Sequence, residues 1–416
     1  MTSRYPNFSK NYRTYPALAM DEVMDIFATT NHQHLEPINF GKGVSSFNPF
    51  KQVKTQLDCD DLSEHICYGD INGLLSLRQA ICDYYRVHLD YELTPERVCI
   101  TDGASGGLMI ALAMLLEKGG EIILPESCYP AYPVFAKLFE AQCRFAPLKD
   151  DFCIDVEQIP KLISNKTRAI LINSPSNPYG TFLGHAELET LSNLGVPIIF
   201  DEVYQSLALT DETIPSAIQF TTHQHFLVNS LSKSLAIAGF RIGYLIVPEH
   251  LAQTMTNVKA VVNMCTSLPS QAIAEKLLAH WDELVGKHRA MLRHNWSIFK
   301  QYSEQLGLPL LTQPKAGFFA LVDVSQADKD DMQIAQELAQ YHALGSTPGV
   351  DFRLHDAACL RLNFACQTQQ IKPGLQRLVD YLTSTEHSIA TFNAHKTTPK
   401  TVSISVSSEE QIRRYG

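Results

Sequence analysis

The chain has 416 residues, 45% apolar and 19% charged, with a formal net charge of −10. That length predicts two domains or one large domain with a smaller companion. The acidic balance argues against nucleic acid or an anionic membrane surface as partner, and no apolar run reaches the roughly 20 residues that span a bilayer. The first twenty residues hold no long apolar stretch of a secretory signal. Ten cysteines without CxxC spacing predict reduced thiols in a cytoplasmic protein and no metal site.

In chain order, the expected strands "RVCI", "EIILP", "TRAILINSP", "VPIIFDEVY", "HFLVNS" and "RIGYLIV" alternate with helical stretches. Continuous apolar runs of this kind suit strands buried on both faces of a mostly parallel sheet. The expected fold class is therefore α/β, a helix-covered, mostly parallel sheet. A smaller α+β domain follows, with "FFALVDV" and "CLRLNFA" as strands. From Leu268 to Leu306 the pattern reads as one long helical stretch joining the two. The expected division is an N-terminal arm and part of the small domain at 1–45, a large domain at 46–285, the small domain at 286–384, and a Ser/Thr-rich flexible tail at 385–416.

Ligands of open α/β sheets sit at the carboxyl ends of the strands, and the unusual residues fall there. "TDGASGG" (101–107) follows a strand and opens a helix, which makes a phosphate cradle. In "PESCYPAY", Tyr129 is the first choice to stack on a planar ring and Tyr132 the second. In "NSPSNPYG", the amide of Asn177 can reach a phenolic oxygen. In "FDEVYQ", Asp201 at a strand end needs a cationic partner such as a protonated pyridine nitrogen, and Tyr204 can donate to the same ring's oxygen. "SLSKSLAIAGFRIGYL" carries Lys233, an amine suited to a Schiff base with an aldehyde, among Ser230, Ser232 and Arg241, which suit a phosphate. Arg361, inside the apolar "CLRLNFA", needs an anion, and a substrate carboxylate fits its fork.

Six segments, "YGDINGLLSLRQAI", "DGASGG", "NSPSNPYG", "FDEVY", "SLSKS" with Arg241, and "RLNFA", taken together and in this order, resemble the fold-type-I enzymes that use pyridoxal phosphate (PLP), and among them the class I/II aminotransferases. The resemblance covers the chain to about residue 384. It implies PLP as cofactor, with Lys233, Asp201 and Tyr204 as catalytic residues. It implies that Ala104, Ser105, Ser230, Ser232 and Arg241 hold the phosphate, Asn177 and Tyr204 the ring oxygen, and Tyr129 the ring face. Tyr68 would reach the cofactor of a neighbouring subunit in a homodimer, and Gly43, Asn177 and Arg361 would meet substrate. The implied activity is transfer of an amino group between an L-amino acid and a 2-oxo acid. The alternative is a lyase, decarboxylase, cyclase or oxidase using the same residues. A PLP-binding transcription regulator needs a DNA-binding module for which the ~45 leading residues are too few and too weakly basic. Two departures from the family pattern are Tyr179, where threonine is usual, which predicts a change near the ring, and "FGKGVSSFNPF" as the access segment. No arginine for a second substrate carboxylate is evident.

Overall fold

The computed structural model describes residues 18–32, 34–53, 67–220, 224–327, 329–354 and 358–384. The expected tail at 385–416 and the first 17 residues of the arm lie outside them.

The strands, in chain order, are β1 Ile38–Asn39, β2 Val98–Asp102, β3 Glu121–Pro125, β4 Gln142–Ala146, β5 Thr167–Asn173, β6 Ile198–Asp201, β7 Phe226–Ser230, β8 Ile242–Ile246, β9 Phe319–Asp323, β10 Leu344–Gly345, β11 Thr347–Pro348 and β12 Cys359–Asn363. Seven of them form one sheet in the order β2-β8-β7-β6-β5-β3-β4. Only β8 runs antiparallel to its neighbours; the other pairings are parallel. β3, β6 and β8 are buried at every position, as strands covered on both faces must be. β4 escapes the sequence expectation because it is the edge strand, where Gln142 and Arg144 face solvent and interrupt the apolar run.

The longer helices are α1 Ala19–Thr29, α2 Leu75–Leu89, α3 Gly103–Leu115, α4 Ala131–Leu138, α5 His185–Ser192, α6 Ala252–Val262, α7 Leu268–Leu278, α8 Trp281–Leu306, α9 Asp331–Tyr341 and α10 Thr368–Ser384. The helical stretch expected over Leu268–Leu306 is made of two helices, because the chain leaves α7 at Ala279 and turns at His280, whose φ of −112° is not helical. α8 then serves two cores. Leu284 and Val285 pack with Ile100, Ile242 and Ile246 of the large sheet, and Leu292 and Phe299 pack with Phe318, Leu360 and Leu378 of the smaller layer. That smaller layer is an antiparallel sheet in the order β11-β12-β9, beside the parallel pair β1-β10. Among the described residues no helix is long and apolar enough to cross a membrane.

Candidate active site

A cavity of about 280 Å³ opens at the carboxyl ends of the central strands. Among the expected residues, Gly43, Ala104, Ser105, Tyr129, Asn177, Asp201, Tyr204, Ser230, Ser232, Lys233, Arg241 and Arg361 all line it. Tyr68 does not; it stands 79% exposed at the surface.

β6 delivers Asp201 to the cavity floor. Tyr132 donates its hydroxyl to Asp201 Oδ2 at 2.7 Å, and the Val203 amide reaches Oδ1 at 3.3 Å. Burial pushes the Asp201 carboxyl up to about 6, against those two donors and the Lys233 charge, which pull it down. The neighbouring acid, Glu202, is also buried but serves the scaffold, accepting from Ser216 Oγ at 2.7 Å and from the Ala217 amide. Tyr132 was second choice as a stacking ring, and its role here is different. It meets Tyr129 edge-on, with centroids 5.4 Å apart, and holds the carboxyl.

β7 ends at Ser230, and one helical turn, Leu231–Ser234, carries Lys233. Its Nζ donates to the Gly43 carbonyl at 2.6 Å and lies 5.9 Å from the Tyr204 ring. Burial first, then the Arg361 charge, lowers the Lys233 amine to about 8, with Asp201 opposing and Arg241 adding to the fall. A lysine so placed keeps a useful neutral fraction near neutral pH.

The corner where the sequence expects a phosphate is built from α3 and the β7–β8 link. The first turn of α3 leaves backbone N–H groups free of intrahelical partners. Ser230 Oγ donates to the Ile242 carbonyl at 2.9 Å and lies 2.8 Å from Ser232 Oγ. Arg241 is anchored by its Nη1 on Ala238 O at 3.0 Å and its Nη2 on Asp102 O at 3.2 Å. This close fit explains Gly103. Its φ is +71°, and a Cβ there would stand 2.5 Å from Arg241 Nη2.

β12 brings Arg361 in from the smaller layer, fully buried. Nη1 donates to Asn177 Oδ1 at 3.0 Å, and Nη2 to Gly41 O at 2.8 Å and Thr347 Oγ1 at 3.1 Å. Its plane stacks 4.1 Å over Phe319. Nε has no hydrogen-bond partner, and burial lowers the guanidinium to about 10. Asn173, which sequence reasoning passed over, ties this side to β6. Its Nδ2 donates to Asp201 O at 2.9 Å and its Oδ1 accepts from the Asn177 amide at 2.8 Å. An asparagine closing an apolar strand was the available signal.

Tyr179 corrects an expectation. It does not line the cavity. It is buried away from the cavity lining, stacked on Phe152 at 4.8 Å and packed with Leu321 and Cys359, so its side chain serves packing there.

An amine, a buried carboxyl and two guanidinium groups thus meet in one cavity at the strand ends of an α/β sheet. The sequence pattern of the family "Aminotransferase class I and II" matches residues 36–378, and the chain belongs to that family. It is an enzyme that transfers amino groups. It is 29% identical to a (5-formylfuran-3-yl)methyl phosphate transaminase of Methanocaldococcus jannaschii, over 87% of this chain and 96% of that protein. It is 30% identical to a probable kynurenine–oxoglutarate transaminase of Saccharomyces cerevisiae, over 78% of this chain and 77% of the other. In structure it matches the aspartate aminotransferase of Thermotoga maritima with a TM-score of 0.82 at 24% identity, over 91% of this chain and all (100%) of that one. The class I and II aminotransferases are a PLP-using family.

Proposed function

We propose that the cavity binds PLP and moves an amino group between an L-amino acid and a 2-oxo acid, with Lys233 as the amine that meets the cofactor's aldehyde. The observation that carries this reading is the convergence of Lys233, Asp201, Arg241 and Arg361 on one cavity of about 280 Å³. The residues fit the group. Asp201 is a buried carboxyl whose donors are a phenol and an amide, so a charged ring nitrogen would complete it. The buried, partnerless Nε of Arg361 suits a substrate carboxylate.

PLP supplies an aldehyde and a ring that accepts electrons from the substrate's α-carbon. The protein's own groups do the rest. Asp201, oriented by Tyr132, keeps the ring nitrogen protonated. Asn177 and Tyr204 donate to the ring oxygen, and Tyr129 covers the ring face. Ala104, Ser105, Ser230, Ser232 and Arg241 hold the phosphate. Lys233, with an amine lowered to about 8, takes the α-proton and returns it. Arg361 and the Gly43 loop fix the substrate carboxylate.

We read residues 46–285 as the cofactor-binding unit and 286–384 as the smaller one. The change of core between Val285 and Leu292 along α8 supports that boundary. The reading extends to a homodimer with Tyr68 given to the partner's cofactor. Exposed apolar residues support it: Tyr68, Val261 at 88%, Val262 and Met264, beside Asn263, which holds Asp102 at the head of α3. Nine described cysteines, all unpaired, support a reducing cytoplasmic setting.

The test is the visible spectrum of the purified protein with PLP, titrated with amino acids and then with a 2-oxo acid. A near-visible band that collapses with amino acid and returns with oxo acid is expected in the wild type and absent in Lys233→Ala. Full turnover in Lys233→Ala, or ammonia, CO₂ or peroxide in place of the returning band, would overturn the reading.

A further inference from the structure

We propose that His288 is a positioning residue for Lys233, a neutral imidazole that carries its proton on Nδ1 and ties the Lys233 turn to the 41–47 loop. This rests on the assignment of Lys233 above. His288 stands on α8, outside the cavity lining, and is fully buried. Its Nδ1 lies 2.9 Å from the Ser234 carbonyl. A carbonyl only accepts, so Nδ1 holds the proton. Its Nε2 lies 2.9 Å from Ser45 Oγ and, in a neutral ring, accepts from that hydroxyl. Ser45 Oγ accepts in turn from the Phe47 amide at 3.2 Å, and the Phe47 ring stacks on the imidazole at 4.7 Å. Every donation in this chain runs the same way, from the loop to the lysine turn.

The two segments so joined meet at Lys233. Ser234 is the next residue, and Ser45 follows by two the glycine whose carbonyl takes Lys233 Nζ at 2.6 Å. The other side of the loop is already fixed. Asn363 Nδ2 donates to Lys42 O at 2.6 Å and to Val44 O at 2.7 Å, which leaves the Gly43 carbonyl to the amine. His288 therefore sets how far the amine sits from its resting acceptor. Ser45, Phe47 and the Ser234 backbone are the groups that meet the ring, none of them charged, and burial holds the imidazole down to about 4. It stays neutral in the working range, so its contribution is directional and it is no proton carrier.

The variants follow from side-chain reach. His288→Asn keeps a donor near the Nδ1 position but falls short of Ser45. Ser45→Ala removes the same arm from the other end, and Ser45→Thr restores the hydroxyl. In PLP-loaded protein the readouts are the pH midpoint of the near-visible band, kcat and KM taken separately, and Tm. His288→Asn and Ser45→Ala are each expected to move the midpoint by about half a pH unit and to lower kcat about tenfold with little change in KM, the scale of one lost hydrogen bond. The double variant should be no worse than either single, because both remove one arm, and Ser45→Thr should return near wild type. A drop in Tm with midpoint and kcat unmoved, or losses that add in the double variant, would overturn the proposal. If His288→Asn does not fold, Ser45→Ala against Ser45→Thr decides alone. A wild-type chain without the band overturns the cofactor reading and this inference with it, a result distinct from any failure among the variants.

Discussion

Tyr132 and Asp201 form a buried polar contact on the cavity floor, with the phenol donating to Oδ2 across 2.7 Å. Burial works to neutralise this carboxyl, and the phenol works to keep it charged. Removing the donor in Tyr132→Phe lets burial win further. A hydrogen bond to a charged group contributes about 1.5–3 kcal/mol, so the acid limb of the kcat/KM profile should move up by about one pH unit. An unmoved limb would show that the phenol does not govern Asp201.

The same raised carboxyl makes a stability prediction. The folded chain holds the Asp201 proton more tightly than an ordinary carboxyl near 3.8, up to about 6. Folded protein thus binds more protons than unfolded across that window, and stability falls as pH rises through it. Asp201→Asn keeps the size and an acceptor for Tyr132. In cofactor-free protein at pH 7 it should raise Tm while abolishing transamination. A Tm that falls instead would refute the burial argument.

For Lys233 the sign reverses. Its amine is lowered from 10.5 to about 8, so between those values the unfolded chain binds more protons and stability rises with pH. Melting of cofactor-free wild type should move upward between pH 8 and pH 10 relative to Lys233→Met, provided the rest of the pH response is shared. Parallel curves for the two proteins would contradict a buried, depressed amine.

Arg361→Lys loses the planar fork and the stack on Phe319. About 2 kcal/mol of carboxylate binding should go with it, raising KM for the amino donor roughly 30-fold while the PLP band persists. Unchanged KM would place the substrate carboxylate elsewhere.

Gly103→Ala tests the phosphate corner. A residue with a Cβ is strained at φ +71°, by about 1–2 kcal/mol, and the new carbon stands 2.5 Å from Arg241 Nη2. PLP affinity should fall at least tenfold, read from the dissociation constant by fluorescence, with a much smaller loss of Tm.

The sequence made three central strands legible because each is a short apolar run with a polar residue at its carboxyl end: Thr167–Asn173, Ile198–Asp201 and Phe226–Ser230. Those terminal residues are the ones that line the cavity, so one pattern revealed both the sheet and much of the site. Four features were out of reach. β4 lacks a continuous apolar run because Gln142 and Arg144 face solvent at the sheet edge. The turn between α7 and α8 falls on Ala279 and His280, neither of which punctuates a helix. That Tyr132 holds the Asp201 carboxyl depends on which way its ring turns at the entrance to α4, and sequence spacing cannot decide that. Arg361's partners Gly41 and Thr347 are more than a dozen positions away in sequence, and nothing local marks them.

The cavity also has an electrical character opposite to that of its owner. Lys233, Arg241 and Arg361 line it against the single carboxyl of Asp201, in a chain whose formal charge is −10. Polyanions are repelled by the molecule at large, whereas small anions that come within a Debye length of about 8–10 Å are drawn to this one positive spot. Loading with a phosphorylated cofactor should therefore slow as ionic strength rises. Inorganic phosphate should compete for the same spot, so a phosphate buffer should slow filling relative to a buffer of equal ionic strength without phosphate.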